Sequence, residues 1–84
     1  MPIDETQLIR IALCKGRYRT TLHARRRMAE RMVSDDDIME CGRTVIQIQV
    51  QKDGKYKVEG LDLDEDQIFL ICAWTGETVI ITVF

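Results

Sequence analysis

Residues 44–54 read Thr44-Val45-Ile46-Gln47-Ile48-Gln49-Val50-Gln51-Lys52-Asp53-Gly54. Ile46, Ile48 and Val50 alternate with Gln47, Gln49 and Gln51, the period of two of a half-buried strand. Asp53-Gly54 is a hairpin turn signal, because glycine accepts a positive φ that a Cβ would resist. Tyr56, Val58 and Leu61 then fall on the returning strand. Leu63-Asp64-Glu65-Asp66 is an acidic loop. Residues 68–74 and 78–84 are apolar on both faces, which predicts two central strands joined by a tight turn at Thr75-Gly76.

Upstream of Thr44 the period is that of helices. Asp4 and Gln7 are spaced as a capping box, with Ile3 and Leu8 placed as a hydrophobic staple. Leu8, Ile9, Ala12 and Leu13 form the apolar stripe, and Gly16 is the expected stop. A short extended piece follows at residues 17–22. The next helix is expected from about His23 to Arg31, with Ala24, Met28 and Met32 on one face as core. Ser34-x-x-Asp37 starts a third helix, stapled by Val33 and Ile38 and expected to stop at Gly42. Helices first and an antiparallel sheet after them make an α+β fold, with the helices packed on one sheet face. The two-sided apolarity of the last strands then calls for cover on the other face, from a coil, a second copy or another protein.

The chain has 84 residues, enough for one domain. That excludes a full dinucleotide-binding unit or a (β/α)8 barrel. No apolar run is long enough to span a bilayer. Residues 1–5 are acidic and lack the basic-then-apolar plan of an export signal. Cys14, Cys41 and Cys72 are odd in number and widely spaced, against a disulfide framework or a Cys-x-x-Cys metal knuckle. A reduced, cytoplasmic setting is expected, with no cofactor and no metal.

The net charge of −2 hides an asymmetry. Residues 1–43 carry nine basic against seven acidic side chains, and residues 44–84 carry three against seven. All eight arginines lie in the first half. Residues 10–31 hold eight basic side chains and one acid, Glu30. The planar guanidinium fork suits phosphate or carboxylate, so this block is a candidate anion-binding surface.

The segment Thr21 to Ile38 resembles the bacterial domain-of-unknown-function family numbered 4258. The matching positions are Thr21, His23, Ala24, Arg27, Met28, Arg31, Val33, Ser34, Asp37 and Ile38. The terminal strand Ile80-Ile81-Thr82-Val83-Phe84 is similar to the family's last strand, with Phe84 where the family tends to carry tyrosine. The family is similar in turn to RelE-like toxins of toxin–antitoxin pairs. The resemblance therefore implies a RelE-like fold, messenger-RNA cleavage, and a cognate antitoxin, often a zinc-binding one.

The residues themselves admit the same chemistry. Cleavage of RNA by its 2′-hydroxyl needs proton transfer and positive charge on the phosphorane. His23 is the single histidine, a type that titrates near neutrality, and Arg27 and Arg31 follow it at i+4 and i+8. These three are the expected catalytic set, for metal-independent phosphodiester cleavage. Thr21, Arg19, Arg26, Lys57, Trp74 and Thr82 are the expected substrate contacts, Trp74 as a platform for a base. The competing expectation is a non-catalytic interaction module. In it His23 caps the helix, Arg27 and Arg31 pair with Asp35, Asp36 or Glu40 as a structural lock, and Arg25 and Arg26 are a solvated face. The expected partners are an antitoxin and RNA, or a second copy of the chain; no membrane is expected.

Overall fold

A computed structural model describes residues 4–84. Three helices precede most of the sheet: α1 (Glu5–Cys14), then strand β1 (Tyr18–Thr20), α2 (Leu22–Arg31) and α3 (Asp35–Arg43). Strands β2 (Gln47–Val50), β3 (Tyr56–Leu61), β4 (Gln67–Trp74) and β5 (Thr78–Val83) follow. The five strands form one sheet in the order β1-β5-β4-β3-β2. The fold is α+β as expected. The sheet is mixed, because β1 adds to β5 in parallel while every other pair is antiparallel.

Local chemistry starts each helix. Asp4 accepts from the Gln7 N–H at 3.0 Å. Thr21 accepts from the Ala24 N–H at 3.0 Å. Ser34 and Asp37 form the full capping box, with the Asp37 N–H to Ser34 Oγ at 3.1 Å and the Ser34 N–H to Asp37 Oδ2 at 2.9 Å. Ile3, the other half of the anticipated staple with Leu8, lies outside the described residues.

One core joins the helices to the sheet. Ile9, Leu13, Ala24, Met28, Ile38 and Cys41 meet Tyr56, Val58, Ile68, Leu70, Cys72, Ile80 and Val83. The opposite sheet face carries Phe69, Ile71, Ala73, Val79 and Ile81, all half-buried rather than buried. A bulge between Ile71 and Cys72 and their β5 partners makes Ile81 the extra residue.

Three expectations change. Met32 is not core but 89% exposed. Helix α2 ends at Arg31, Met32 adopts a left-handed φ of 56°, and the Val33 N–H returns to the Met28 carbonyl at 2.8 Å, as in a Schellman turn. The i+4 extrapolation fails because the helix has stopped, and Val33 packs on the core instead. Gly42 does not stop α3, which runs to Arg43. A Cβ at Gly42 would lie 2.5 Å from the Cys14 backbone nitrogen, so the glycine is where α1 and α3 touch. Finally, β2 is an edge strand. Its apolar side is open at Ile46 and Val50, 61% and 65% exposed, and half-buried only at Ile48.

Candidate functional site

Helix α2 is pinned to β5 at its first turn. The Thr21 N–H donates to the Ile80 carbonyl at 3.0 Å, and the Thr21 hydroxyl donates to the Ile81 carbonyl at 3.0 Å. Thr21 thus caps the helix and fastens it to the strand together. That sets the next polar side chain, His23, beside the end of β5. His23 Nε2 lies 3.2 Å from Thr82 Oγ1, and the imidazole is otherwise exposed.

Two further turns along the same helix ridge, Arg27 and Arg31 line an open groove of about 490 Å³. Its walls also include Glu30, Asp62, Gln67, Val83 and Phe84. The two arginines differ. Arg27 is half-buried and pairs with Glu30 at 3.2 Å, whereas Arg31 is exposed and has no ion-pair partner among the described residues. Glu30 and Asp62 balance the two arginines in formal charge, so the groove is neutral as a whole; among the described residues Arg31 is its arginine without an ion pair. The groove ends at an aromatic pair. Phe84 stacks on Phe69 at 5.6 Å between centroids, and Lys57 Nζ sits 4.8 Å from the Phe69 ring and 5.6 Å from that of Phe84. Cation–π attraction holds that ammonium over the open sheet face at the groove's end.

The structural lock exists, but another arginine makes it. Arg25 donates to Asp35 at 3.0 Å and to the Thr20 hydroxyl at 2.8 Å, while the Tyr18 hydroxyl donates to the same Asp35 carboxylate at 2.5 Å. This ties β1, α2 and the start of α3 together. Arg25 first, then the Tyr18 hydroxyl, hold the Asp35 carboxyl below its usual value. Burial, then the Asp35 bond, push the Tyr18 phenol well up. Arg25 was expected on a solvated face; its pairing depends on how β1 meets α3, which no local spacing reveals.

The other expected contacts disperse. Arg26 is exposed on α2 and Arg19 is exposed on β1, 3.5 Å from Glu77. Trp74 packs on the core opposite Thr78, at the other end of the β4–β5 hairpin from the Phe69–Phe84 pair. It is therefore roughly 15 Å from the groove's aromatic end, from the rise of a strand. Glu30, Asp62, Gln67 and Phe84 are the polar and aromatic groove residues that sequence spacing did not single out, with Phe69 stacked behind Phe84. For Glu30 and the two phenylalanines the signal was present in the helical offset of Glu30 from Arg27 and the pairing of the last two strands.

Cys41 and Cys72 are buried, and burial pushes both thiols up to about 12, which keeps them protonated. Asp62, Asp64 and Asp66 lie within 4.8 Å of one another. The Asp62 carboxylate accepts from the Asp64 and Asp66 N–H groups at 2.9 Å each, so it builds the turn before β4. Among the described residues no helix is long and apolar enough to cross a membrane.

No curated protein and no solved structure matches the chain. The family model that matches is described as a domain of unknown function, DUF4258, and it covers residues 20–84. That span holds α2, α3, all of β2 to β5 and the groove, and it leaves α1 outside. By that match over more than half its length, the chain belongs to the DUF4258 family.

Proposed function

We propose that the protein is an RNA-cleaving enzyme of the toxin type, acting without a metal through the groove between α2 and the end of β5. The observation that carries this reading is the ridge of α2. It carries one exposed histidine, beside Thr82 and outside the groove's own walls, one turn before the Arg27 and Arg31 that line the groove, with an aromatic pair at the groove's edge. In this reading Arg31, free of an acidic partner, takes the scissile phosphate, and Arg27 shares its charge between Glu30 and the phosphate. Phe84 offers a face on which a base stacks, and Lys57 takes a neighbouring phosphate. His23 moves one proton of the reaction: from the attacking 2′-hydroxyl, or to the leaving 5′-oxygen. Glu30 stands in the same groove as the second proton-transfer group, which the chemistry requires as a pair. The product is then a 2′,3′-cyclic phosphate and a 5′-hydroxyl end. Phe84 has no hydroxyl and takes no part in proton transfer. A cognate antitoxin would hold the half-buried apolar face of β4 and β5, and three unpaired thiols accord with a reducing compartment.

The test is cleavage of a long single-stranded RNA by the purified protein in excess chelator, with the ends of the fragments identified. Cyclic phosphate ends are expected from the native protein. His23→Ala is expected to lose at least about 100-fold in rate, the usual contribution of a general acid or base. Its melting temperature should be unchanged, since His23 is exposed. Equal cleavage by native protein and His23→Ala refutes the assignment, as does the absence of cleavage.

A further inference from the structure

Sheets in soluble proteins guard their edges with short strands, charge or proline. This sheet guards one edge and not the other. Strand β1 has three residues with an arginine at its centre, and α2 follows directly. Strand β2 lies in Thr44–Gln51, eight residues without a charge, a proline or a glycine. Ile46, just before it, and Val50 on it are more than half exposed.

The backbone of β2 is open on its outer side. The Gln51 N–H donates to the Lys55 carbonyl at 2.7 Å, and Gln49 and Gln47 stand opposite Lys57 and Glu59. Alternation along an antiparallel ladder then turns the polar groups of those residues towards β3 and those of Ile48 and Val50 outward, while the Ile46 N–H, just before the strand, turns inward to the Glu59 carbonyl at 2.8 Å. Outward groups on Ile48 and Val50 require an antiparallel neighbour to pair residues of even number with residues of even number.

Registers centred on Gln47, Ile48 or Gln49 all meet that requirement, but centring on Gln47 sets Val50 against Thr44 and Val45 against Gln49, and the register centred on Ile48 matches the side chains along the strand. With Ile48 opposite Ile48, Ile46 faces Val50 and Gln47 faces Gln49, each twice by symmetry. Apolar side chains meet apolar ones on the helix side of the sheet, and amides meet amides on the other. Shifting by one pair, to Gln49 opposite Gln49, would set Ile46 against Lys52. We propose that the protein forms a two-fold dimer in solution by antiparallel β2–β2 pairing centred on Ile48, giving a continuous ten-stranded sheet. The groove at α2 and β5 lies three strands from this edge and stays open in the dimer, so the proposal stands independently of RNA cleavage.

Sedimentation equilibrium of the full chain over a wide concentration range tests it. The mass is expected to rise from the 9.8 kDa of one chain towards twice that value. In the double variant Gln47→Lys/Gln49→Lys, lysines oppose each other twice across the interface, and the dimer is expected to weaken roughly tenfold. In Gln47→Lys/Gln49→Glu the facing charges are opposite, and within the chain they face Glu59 and Lys57 favourably. That variant should dimerise at least as well as the native protein. A monomer at every concentration overturns the proposal. So does a Lys/Lys variant that keeps both its melting temperature and its dimer. If the Lys/Glu variant dissociates while folded, the register is wrong and the proposal fails.

Discussion

Gly42→Ala sets two effects of opposite sign against each other. Alanine is the better helix former by about 0.8–1 kcal/mol in a helix interior. Gly42 is the penultimate residue of α3, so the gain from propensity is smaller than that. Against it stands contact. The added methyl would lie 2.5 Å from the Cys14 backbone nitrogen, 2.8 Å from Leu13 Cβ and 2.9 Å from the Leu13 carbonyl carbon. Ordinary carbon contacts are about 3.5–4.0 Å, so α1 must retreat by roughly 1 Å. Leu13 and Ile9, both fully buried, are the residues that α1 gives to the core, and they would move with it. A gap of that size forfeits about a quarter to a half of each dispersion contact, and overpacking of this kind costs about 1–3 kcal/mol. Contact wins, with a net loss of about 1–2 kcal/mol. For a domain of this size that lowers the melting temperature by roughly 4–16 °C. Urea denaturation followed by circular dichroism measures it, as a lower midpoint at unchanged slope. A midpoint equal to or above that of the native protein would refute the close packing of α1 on α3 through Gly42.

Acid should weaken the fold in a defined window. Asp35 and Asp37 both have carboxyls held below the usual 3.8, Asp35 by Arg25 and Tyr18, Asp37 chiefly by the Ser34 N–H and then the Leu63 N–H. A lowered folded-state value means stability that is fully present above the unfolded value and lost as pH falls through the folded one. Urea midpoints should therefore be flat above about pH 5 and fall below about pH 4, with a shallower fall in Asp37→Asn; an equal fall in that variant contradicts its share. Thr78 is 1% exposed and its hydroxyl has no hydrogen-bond partner among the described residues. Thr78→Val keeps the shape and removes the stranded group, so it should stabilise by about 1–2 kcal/mol in the same assay; a loss of stability would mean that the hydroxyl has a partner in solution.

The candidate site was legible in part. His23, Arg27 and Arg31 share a ridge because 100° per residue is a property of any helix, and the spacing alone puts them there. Which arginine is free and which is engaged was not legible. Arg27 finds Glu30 within its own helix, while Arg25 rather than Arg31 reaches Asp35, because β1 delivers Tyr18 and Thr20 to that side of α2. Phe84 and Lys57 are 27 residues apart in the chain, and only the pairing of β3 with β4 and of Phe69 with Phe84 brings them to the end of the groove.

What the sequence by itself determined is what acts within a turn or a hairpin. Asp4, Thr21 and Ser34 each satisfy an N–H three residues on, so each start of a helix is written locally. Gly54 turns the chain because its φ of 83° suits a residue without a Cβ. The alternation of Ile46, Ile48 and Val50 makes a strand wherever it is placed. The tertiary structure decided where that is. Strand order put β2 at an edge, beyond much of the helix layer's cover, so an apolar side that reads as half-buried stands open to solvent. The same order left β4 in the middle with one face on the core and one uncovered. Burial depends on which element arrives from far along the chain, and that is a property of packing rather than of period.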